Sequence, residues 1–172
     1  MKKLGLAVLA GLVLSAGIVV LAAPKSDAEV IQEMRDRLEI EDLMWRYARA
    51  LDTNNADAYA ATYTPDGSFG AGPNPTKGRD ALRKMIADLK QRNDEAAAKG
   101  DRRPPMYHMT ANERITFTGK DSAKIEAYWI TTVAAGGQNT PMRVVSVGHS
   151  VDELVRLNGQ WLIKARNVAP AP

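Results

Sequence analysis

The chain changes its pattern of hydrophobic and polar positions at Met106. Before this residue, apolar side chains recur every three or four positions, which is the spacing of a buried helix face. This spacing predicts a long helix over 28–51, a short helix over 56–63 and a third helix over 78–98. Residues 70–77, which contain two prolines, are predicted to form a loop.

The second half of the chain predicts strands, because apolar and polar residues alternate. The alternating stretches are 107–118, 122–135, 142–157 and 160–168. Asn158-Gly159 is the strongest turn signal between them, since both residues accept the positive φ angles of a two-residue hairpin. Helices followed by a run of antiparallel strands indicate an α+β fold in one domain.

The first helix is apolar on two sides, so we expect its second half to be buried. One side carries Ile31, Met34, Leu38, Trp45, Ala48 and Asp52, and the opposite side carries Ile40, Leu43, Met44, Tyr47 and Leu51. A carboxylate in the last turn of a helix is unfavourable by about 0.3–1 kcal/mol. Asp52 therefore either has a function or opens the turn 52–55 by bonding its own backbone.

Residues 1–28 have the features of a signal peptide. Lys2 and Lys3 precede an uncharged apolar run over 4–23, and Ser26-Asp27-Ala28 offers small residues for cleavage. We expect an exported domain of residues 29–172 in the periplasm or the medium. The run is also long enough to span a bilayer, so an uncleaved N-terminal membrane anchor is the alternative.

Composition excludes several kinds of site. Removal of residues 1–28 takes three of the 23 basic and one of the 20 acidic residues, which leaves a net charge of +1. No basic stripe suggests a nucleic-acid partner. The chain has no cysteine and two histidines, so the sequence predicts no disulfide, no thiolate nucleophile, no metal site and no cofactor.

The stretch 37–69 resembles the opening of the SnoaL-like family within the nuclear transport factor 2-like superfamily. The matching residues are Ile40, Asp42, Leu43, Arg46, Tyr47, Ala48, Leu51, Asp52, Tyr63, Pro65, Asp66, Gly67 and Phe69. The resemblance implies a cone: a bent antiparallel sheet wrapped around a long N-terminal helix, with two further helices and an apolar pocket. It also implies a homodimer, and Val145, Val147 and Val151 would supply an apolar patch for it.

Tyr47, Asp52 and His108 resemble the catalytic pattern of dehydratases in this superfamily, such as scytalone dehydratase and the bile-acid dehydratases. The resemblance implies that His108 removes a proton next to a carbonyl, Asp52 orients His108, and Tyr47 polarises the carbonyl. Ketosteroid isomerase has a similar cone. Residues expected to line the pocket and set its specificity are Trp45, Phe69, Tyr128 and Val145.

Three observations weigh against this site. Counted along the predicted strand, His108 lies on the face opposite Ile115 and Phe117, so only a bulge or a polar pocket face would turn it inward. Tyr47 lies about 140° from Asp52 on an ideal helix, so the two converge only if the helix unwinds. The strand 125–133 lacks the second His or Asp of the dehydratases, and Ser150 stands where the family often has Tyr.

The sequence thus predicts one of two functions for a pocket that takes a small apolar molecule. The first is a cofactor-independent dehydratase or isomerase acting on a small carbonyl compound. The alternative is a non-catalytic protein that binds such a molecule.

Overall fold

The computed structural model of the chain describes residues 24–70, 72–101, 104–134 and 141–169. The helices are α1 (Asp27–Asp52), α2 (Ala56–Ala61) and α3 (Arg79–Ala98). The strands are β1 (Tyr63–Gly70), β2 (Thr76–Lys77), β3 (Met106–Gly119), β4 (Ser122–Val133), β5 (Arg143–Leu157) and β6 (Gln160–Asn167). The predicted α+β fold is confirmed, and the helices and long strands lie within a few residues of their predicted positions.

Helix α1 begins where its capping residues place it. The Ser26 hydroxyl accepts a hydrogen bond from the Glu29 backbone N–H at 3.4 Å, and the Glu29 carboxylate accepts one from the Ser26 N–H at 2.7 Å. This reciprocal pair satisfies two N–H groups that a helix start otherwise leaves free. The apolar run 4–23 lies outside the described residues. Within the described ranges, no helix has both the length and the apolar character needed to cross a bilayer.

Six strands form one curled sheet in the order β2-β1-β6-β5-β4-β3. Neighbouring strands are antiparallel, except that β1 and β6 run parallel. Strands β3 to β6 follow one another as three consecutive hairpins. Asn158 and Gly159 form the predicted hairpin with φ angles of 52° and 80°. Residues 136–139, whose two glycines are typical of a turn, lie outside the described residues.

The first two strands correct the sequence reading of residues 63–77. Residues 76–77 form the short strand β2 instead of a loop. Pro65 and Gly67 are typical of a turn, which predicts one at 64–67. These residues belong to β1 instead and bulge from it, since Tyr63 pairs with Ile163 and Ser68 already pairs with Ala165. Gly67 is needed here for space: a Cβ would lie 2.9 Å from the Cβ of Tyr63. It does not have the positive φ that the turn prediction required.

The core lies between one face of α1 and the inner face of the sheet. Its fully buried members include Ile40, Leu43, Tyr59, Tyr63, Leu82, Ile125, Leu154 and Ile163. The prediction that the second half of α1 is buried on both sides is wrong, because Trp45 is 65% exposed. The sheet covers α1 on one side, and α2 and α3 pack on β1 and on each other.

Candidate functional site

The site is built on a contact between the last residue of α1 and the start of β3. Asp52 Oδ1 lies 2.8 Å from His108 Nδ1 and accepts a second hydrogen bond from the His108 backbone N–H at 3.0 Å. The Asp52 side chain is 7% exposed and that of His108 is 27% exposed. Asp52 thus uses its carboxylate on His108 and not on the backbone of the turn 52–55.

A second group compensates the charge of Asp52. Arg49, one turn earlier on α1, places Nη1 3.7 Å from Asp52 Oδ2. A carboxylate bonded to Nδ1 holds the imidazole in one orientation and favours the tautomer with its proton on Nδ1. Nε2 is then the basic nitrogen, on the edge of the ring that points away from Asp52.

A bulge in β3 turns His108 toward the inside of the sheet. Ala111 pairs with Tyr128 and Arg114 pairs with Glu126, so β3 has one residue more than β4 between these pairs. Asn112 adopts a φ of 52° at this point, a conformation that asparagine tolerates better than most residues. An extra residue reverses the alternation of side chains, so His108 shares a face with Ile115. The face assignment made from the sequence is therefore wrong.

His108 forms part of the wall of an inner cavity of about 150 Å³ between α1 and the sheet. Its other wall residues include Tyr47, Ala48, Leu51, Phe69, Thr110, Trp129, Thr131, Arg166 and Val168. Most of these side chains are apolar or aromatic. Their hydroxyl, imidazole and guanidinium groups come from Tyr47, His108 and Arg166 and from two threonines.

A second, outer cavity lies on the Asp52 side of His108. It has a volume of about 360 Å³ and lies between the end of α1, the C-terminal half of α3 and residues 104–106. Asp52 and His108 both line it, whereas Tyr47 lines only the inner cavity. The structure therefore joins Asp52 to His108, while Tyr47 lines the inner cavity together with His108. Helix α1 stays helical to Asp52, so Tyr47 and Asp52 remain about 140° apart on the helix and do not converge.

Tyr47 belongs to a buried cluster of three tyrosines. Its ring centroid lies 5.3 Å from that of Tyr59 and 6.2 Å from that of Tyr63. The hydroxyls of Tyr59 and Tyr63 are 3.1 Å apart. Burial raises the pKa of both the Tyr59 and the Tyr63 hydroxyl well above the usual value, so both stay protonated and can act only as neutral hydrogen-bonding groups.

Arg166 is a site residue that the sequence reading missed. Its guanidinium carbon lies 4.7 Å from the centroid of the Tyr47 ring, and its Nη1 forms an ion pair with Asp152, the residue opposite it on β5. Arg166 is 4% exposed and Asp152 is fully buried. Arg166 and Asp152 have opposite charges and lie in two strands that the sequence predicts to form a hairpin. This is the signal that could have identified the pair.

The Asp152–Arg166 pair is incompletely bonded among the described residues. Asp152 Oδ1 and Arg166 Nε are buried without a hydrogen-bond partner, while Ser150 Oγ lies 3.5 Å from Asp152 Oδ2. Burial raises the pKa of Asp152 to about 7, although Arg166 acts to lower it. Each unpaired atom carries a desolvation cost, which is why this pair is a sensitive point of the fold.

Trp129 closes the inner cavity from the β4 side. Its indole lies flat on Gly148 of β5, and its Nε1 donates a hydrogen bond to the Val168 carbonyl at 3.1 Å. The sequence reading chose Tyr128 for the pocket and left Trp129 out. A glycine inside a long strand often marks a close approach, so Gly148 is the signal that could have identified Trp129.

We expect Gly148→Ala to destabilise the protein by about 1–3 kcal/mol, the usual cost of overpacking. A Cβ at this position would lie 2.3 Å from Trp129 Cζ2, in a rigid ring. Urea unfolding measures the loss. Gly119→Ala is the matched control, because its Cβ would meet only the flexible Ser122 hydroxyl. Equal stability of the two variants would contradict the packing of Trp129 on Gly148.

The residues predicted to line the pocket divide into two groups. Phe69 lines the inner cavity. Trp45 lies on the outer side of α1, and Tyr128 and Val145 are exposed on β4 and β5. Two of these predictions failed for a local reason. Tyr128 points outward because Trp129, the next residue of the strand, points inward. Val145 is an extra residue between the pairs Thr131–Ser146 and Thr132–Val144, and it shifts the register of β5.

Among the described residues, no group of three or more histidine, aspartate or glutamate side chains is placed to hold a metal ion. His149, the other histidine, lies on the outer face of the sheet, 5.9 Å from the ring of Tyr128. Its neighbours in sequence, Ser150 and Asp152, point into the core.

Solved structures with this fold share little sequence with the chain. A nuclear transport factor 2-like protein with a cystatin-like fold from Novosphingobium aromaticivorans has a TM-score of 0.66 at 22% identity, over 83% of this chain and 86% of that one. A candidate scytalone dehydratase from the same organism has a TM-score of 0.64 at 23% identity, over 81% and 86%.

A protein from Catenulispora acidiphila, solved in complex with S-DNPA, has a TM-score of 0.63 at 23% identity, over 79% of this chain and 93% of that one. Likenesses at this level of identity establish the fold. No curated protein matches the chain. The model of the SnoaL-like domain matches residues 32–167, nearly the whole described region. The chain therefore belongs to the SnoaL-like domain family.

Proposed function

We propose that this protein is a cofactor-independent dehydratase or isomerase that acts on a small, largely apolar carbonyl compound. The observation that carries the proposal is the Asp52–His108 pair at the wall of an apolar cavity. An imidazole held by a carboxylate is the commonest general base in proteins at neutral pH. Membership of a fold family that includes dehydratases and isomerases supports the same reaction class.

The proposed reaction begins with proton transfer to His108. Nε2 takes a proton from the carbon next to the substrate carbonyl, and the electron pair of the broken C–H bond forms an enolate. The hydroxyl of Tyr47, which also lines the inner cavity, donates a hydrogen bond to the enolate oxygen. The Arg166 guanidinium beside the Tyr47 ring adds positive potential there.

The fate of the enolate decides between the two reactions. In a dehydratase, a hydroxyl on the β carbon leaves with the electron pair of its C–O bond and takes the proton from the His108 imidazolium as water. In an isomerase, the imidazolium returns the proton to another carbon. Asp52 stabilises the imidazolium in both cases, because its carboxylate bonds Nδ1.

The proposal is tested by solvent deuterium exchange. The protein is incubated in D₂O with a panel of small bicyclic ketones, such as 2-tetralone, and loss of the α-proton signal is followed by NMR. Exchange that is faster than in buffer, and that is abolished in a His108 variant, supports the reaction class. Exchange that is unchanged when His108 is replaced would refute the role of His108.

The second candidate function is binding without chemistry. The strand β4 presents Ala127, Trp129 and Thr131 on its inner side and supplies no second acid or base. Apolar pockets with few polar groups are typical of ligand-binding sites. Saturable quenching of tryptophan fluorescence by the same ketones, without deuterium exchange, would favour this candidate, since Trp129 lies in the cavity wall.

We also propose that the protein is exported and that its leader is removed. The motivation is the Lys2-Lys3 start followed by an apolar run. Edman sequencing of protein recovered from the periplasm or the medium is expected to start at Glu29. A start at Met1 in a membrane fraction would support the uncleaved anchor, and a start at Met1 in the cytoplasm would contradict export.

We propose further that the outer face of the sheet pairs with a second copy. Tyr107, Met109, Tyr128, Val144 and Val147 lie there and are between 44% and 65% exposed, which makes an apolar patch that a partner could cover. Val147→Lys is expected to halve the mass of this assembly in light scattering at micromolar concentration. Lys120→Ala, at the β3–β4 turn away from the patch, is the control. An unchanged mass in the Val147 variant would contradict the pairing.

A further inference from the structure

Helix α1 carries an apolar stripe on the side that faces away from the sheet. We call Ile31, Met34, Leu38 and Trp45 the α1 stripe. Their exposed fractions are 50%, 60%, 65% and 65%. On the helix they lie opposite the buried residues Ile40, Leu43 and Tyr47. With a rise of 1.5 Å per residue, the stripe is about 21 Å long.

The spacing of the α1 stripe is that of a helix that packs against another helix. Its residues follow one another at intervals of three, four and seven, which are the a and d positions of a heptad. Glu41 occupies the heptad position between Leu38 and Trp45 and is the one residue of this pattern that is not apolar. Apolar residues at these positions form a narrow seam, and two such seams pack together at a small crossing angle.

The charges beside the α1 stripe match those of the same helix running the other way. Two antiparallel copies that cross at Leu38 bring together residues equally far before and after it. Arg35 then faces Glu41 of the second copy, with Asp42 next to it, and Asp27 faces Arg49. Asp42 and Arg49 have side chains that are 64% and 46% exposed, but both already have ion-pair partners in their own chain, Arg46 and Asp52. The exposed charges of Arg35 and Glu41 therefore carry the match between the two copies.

A parallel pair would not bring Arg35 level with Glu41, because residues of the same number then lie level with one another. A membrane surface is also a poor match, since α1 carries eight acidic and four basic residues, whereas interfacial helices are rich in lysine and arginine. The occupant that fits the seam and its charges is a second copy of α1.

We propose that two copies of this chain associate through the α1 stripe, with their α1 helices antiparallel and crossing at Leu38. The contact is separate from the outer sheet face and from the inner cavity, and among the site residues it reaches only Arg49, the ion-pair partner of Asp52. It pairs Ile31 of each copy with Trp45 of the other, which covers two exposed residues of the stripe at each end.

Cysteine cross-linking tests the register, since the chain has no cysteine of its own. Leu38→Cys in the full chain is expected to form a disulfide-linked dimer on mild oxidation, because the two copies meet at this residue. Lys84→Cys, at a 75% exposed position on α3, is the control. A cross-linked fraction for Leu38→Cys no greater than the control would overturn the proposal.

A pair of end positions tests the direction. Ile31→Cys and Trp45→Cys are each expected to stay monomeric on a non-reducing gel, while the variant carrying both cross-links into a dimer. Their separation of about 21 Å along one helix prevents a bond within the chain. Cross-linking of Ile31→Cys alone would show a parallel pair and would overturn the proposed arrangement. The same experiments in a Val147→Lys background separate this contact from the sheet face.

A charge exchange tests the contact without cysteine. Arg35→Asp is expected to weaken association by about ten-fold, because two exposed ion pairs become repulsive. Adding Glu41→Arg is expected to restore it, with circular dichroism unchanged throughout. No recovery in the double variant would overturn the register. A membrane is tested by sedimentation with phosphatidylglycerol vesicles. If the protein sediments with the vesicles, loses this binding when Leu38 is replaced, and does not self-associate, then the α1 stripe binds membranes and the proposal is overturned.

Discussion

His108→Ala is expected to lower the rate of α-proton exchange by about 10²–10⁴-fold, the usual contribution of a general base. The loss should appear in the rate at saturating ketone and leave ketone binding nearly unchanged, because His108 supplies one edge of a mostly apolar wall. Solvent deuterium exchange measures the rate, and tryptophan quenching measures the binding.

Two further variants separate a catalytic loss from a structural one. Asp52→Asn keeps an acceptor for the His108 N–H but removes the charge that stabilises the imidazolium, so it should also reduce exchange while the protein stays folded. His149→Ala alters the exposed histidine on the outer sheet face and should leave exchange intact. Unfolding of His108→Ala, with exchange retained in Asp52→Asn, would show that His108 has a structural role.

Arg166→Met is expected to lower the free energy of unfolding by about 3–5 kcal/mol at pH 8, the cost of breaking a buried pair by removing one partner. The Asp152 carboxylate then remains fully buried beside Ser150 without its counter-ion. Urea unfolding measures the loss. Asp152→Leu combined with Arg166→Met is the control, and it should be more stable than the single variant because no charge remains unpaired.

The pH dependence of stability gives a second measure of the same pair. Burial raises the pKa of Asp152 to about 7 in the folded protein, against about 3.9 in an unfolded chain. Between these values the folded state holds a proton that the unfolded state has released. Asp152 therefore makes stability fall as pH rises from about 4 to 7, by at most about 1.4 kcal/mol per pH unit.

Comparison with Asp152→Asn isolates this effect, because an amide does not titrate. The stability of the wild-type protein relative to the variant should decrease as pH rises through this range. Arg166→Met should be least destabilised near pH 5, where Asp152 is protonated. Parallel pH curves for the wild-type protein and Asp152→Asn would show that Asp152 stays ionised throughout.

Much of the fold could be predicted from the sequence because its determinants are local. The change from a helical to an alternating pattern at Met106 located α1, α3 and the four long strands. The Ser26–Glu29 capping box and the Asn158-Gly159 hairpin each depend on residues that are neighbours in the chain. The family resemblance supplied the cone, which periodicity alone does not specify.

The predictions that failed depend on single-residue irregularities. Strand parity put His108 on the wrong face because one extra residue near Asn112 reverses the alternation. Val145 was misplaced by a similar register shift in β5. Trp45 was expected inside because α1 is apolar on two sides, and the sequence does not say that the sheet covers only one of them.

The sequence by itself determined the elements, their order and the candidate residues Asp52 and His108. Only the tertiary structure decided that these two residues meet, because they are 56 positions apart in the chain and their contact depends on how the end of α1 lies across β3. The same is true of Arg166 and Asp152. In each pair, neither residue has a neighbour in the sequence that indicates its role. The role follows from the partner that the fold brings into contact with it.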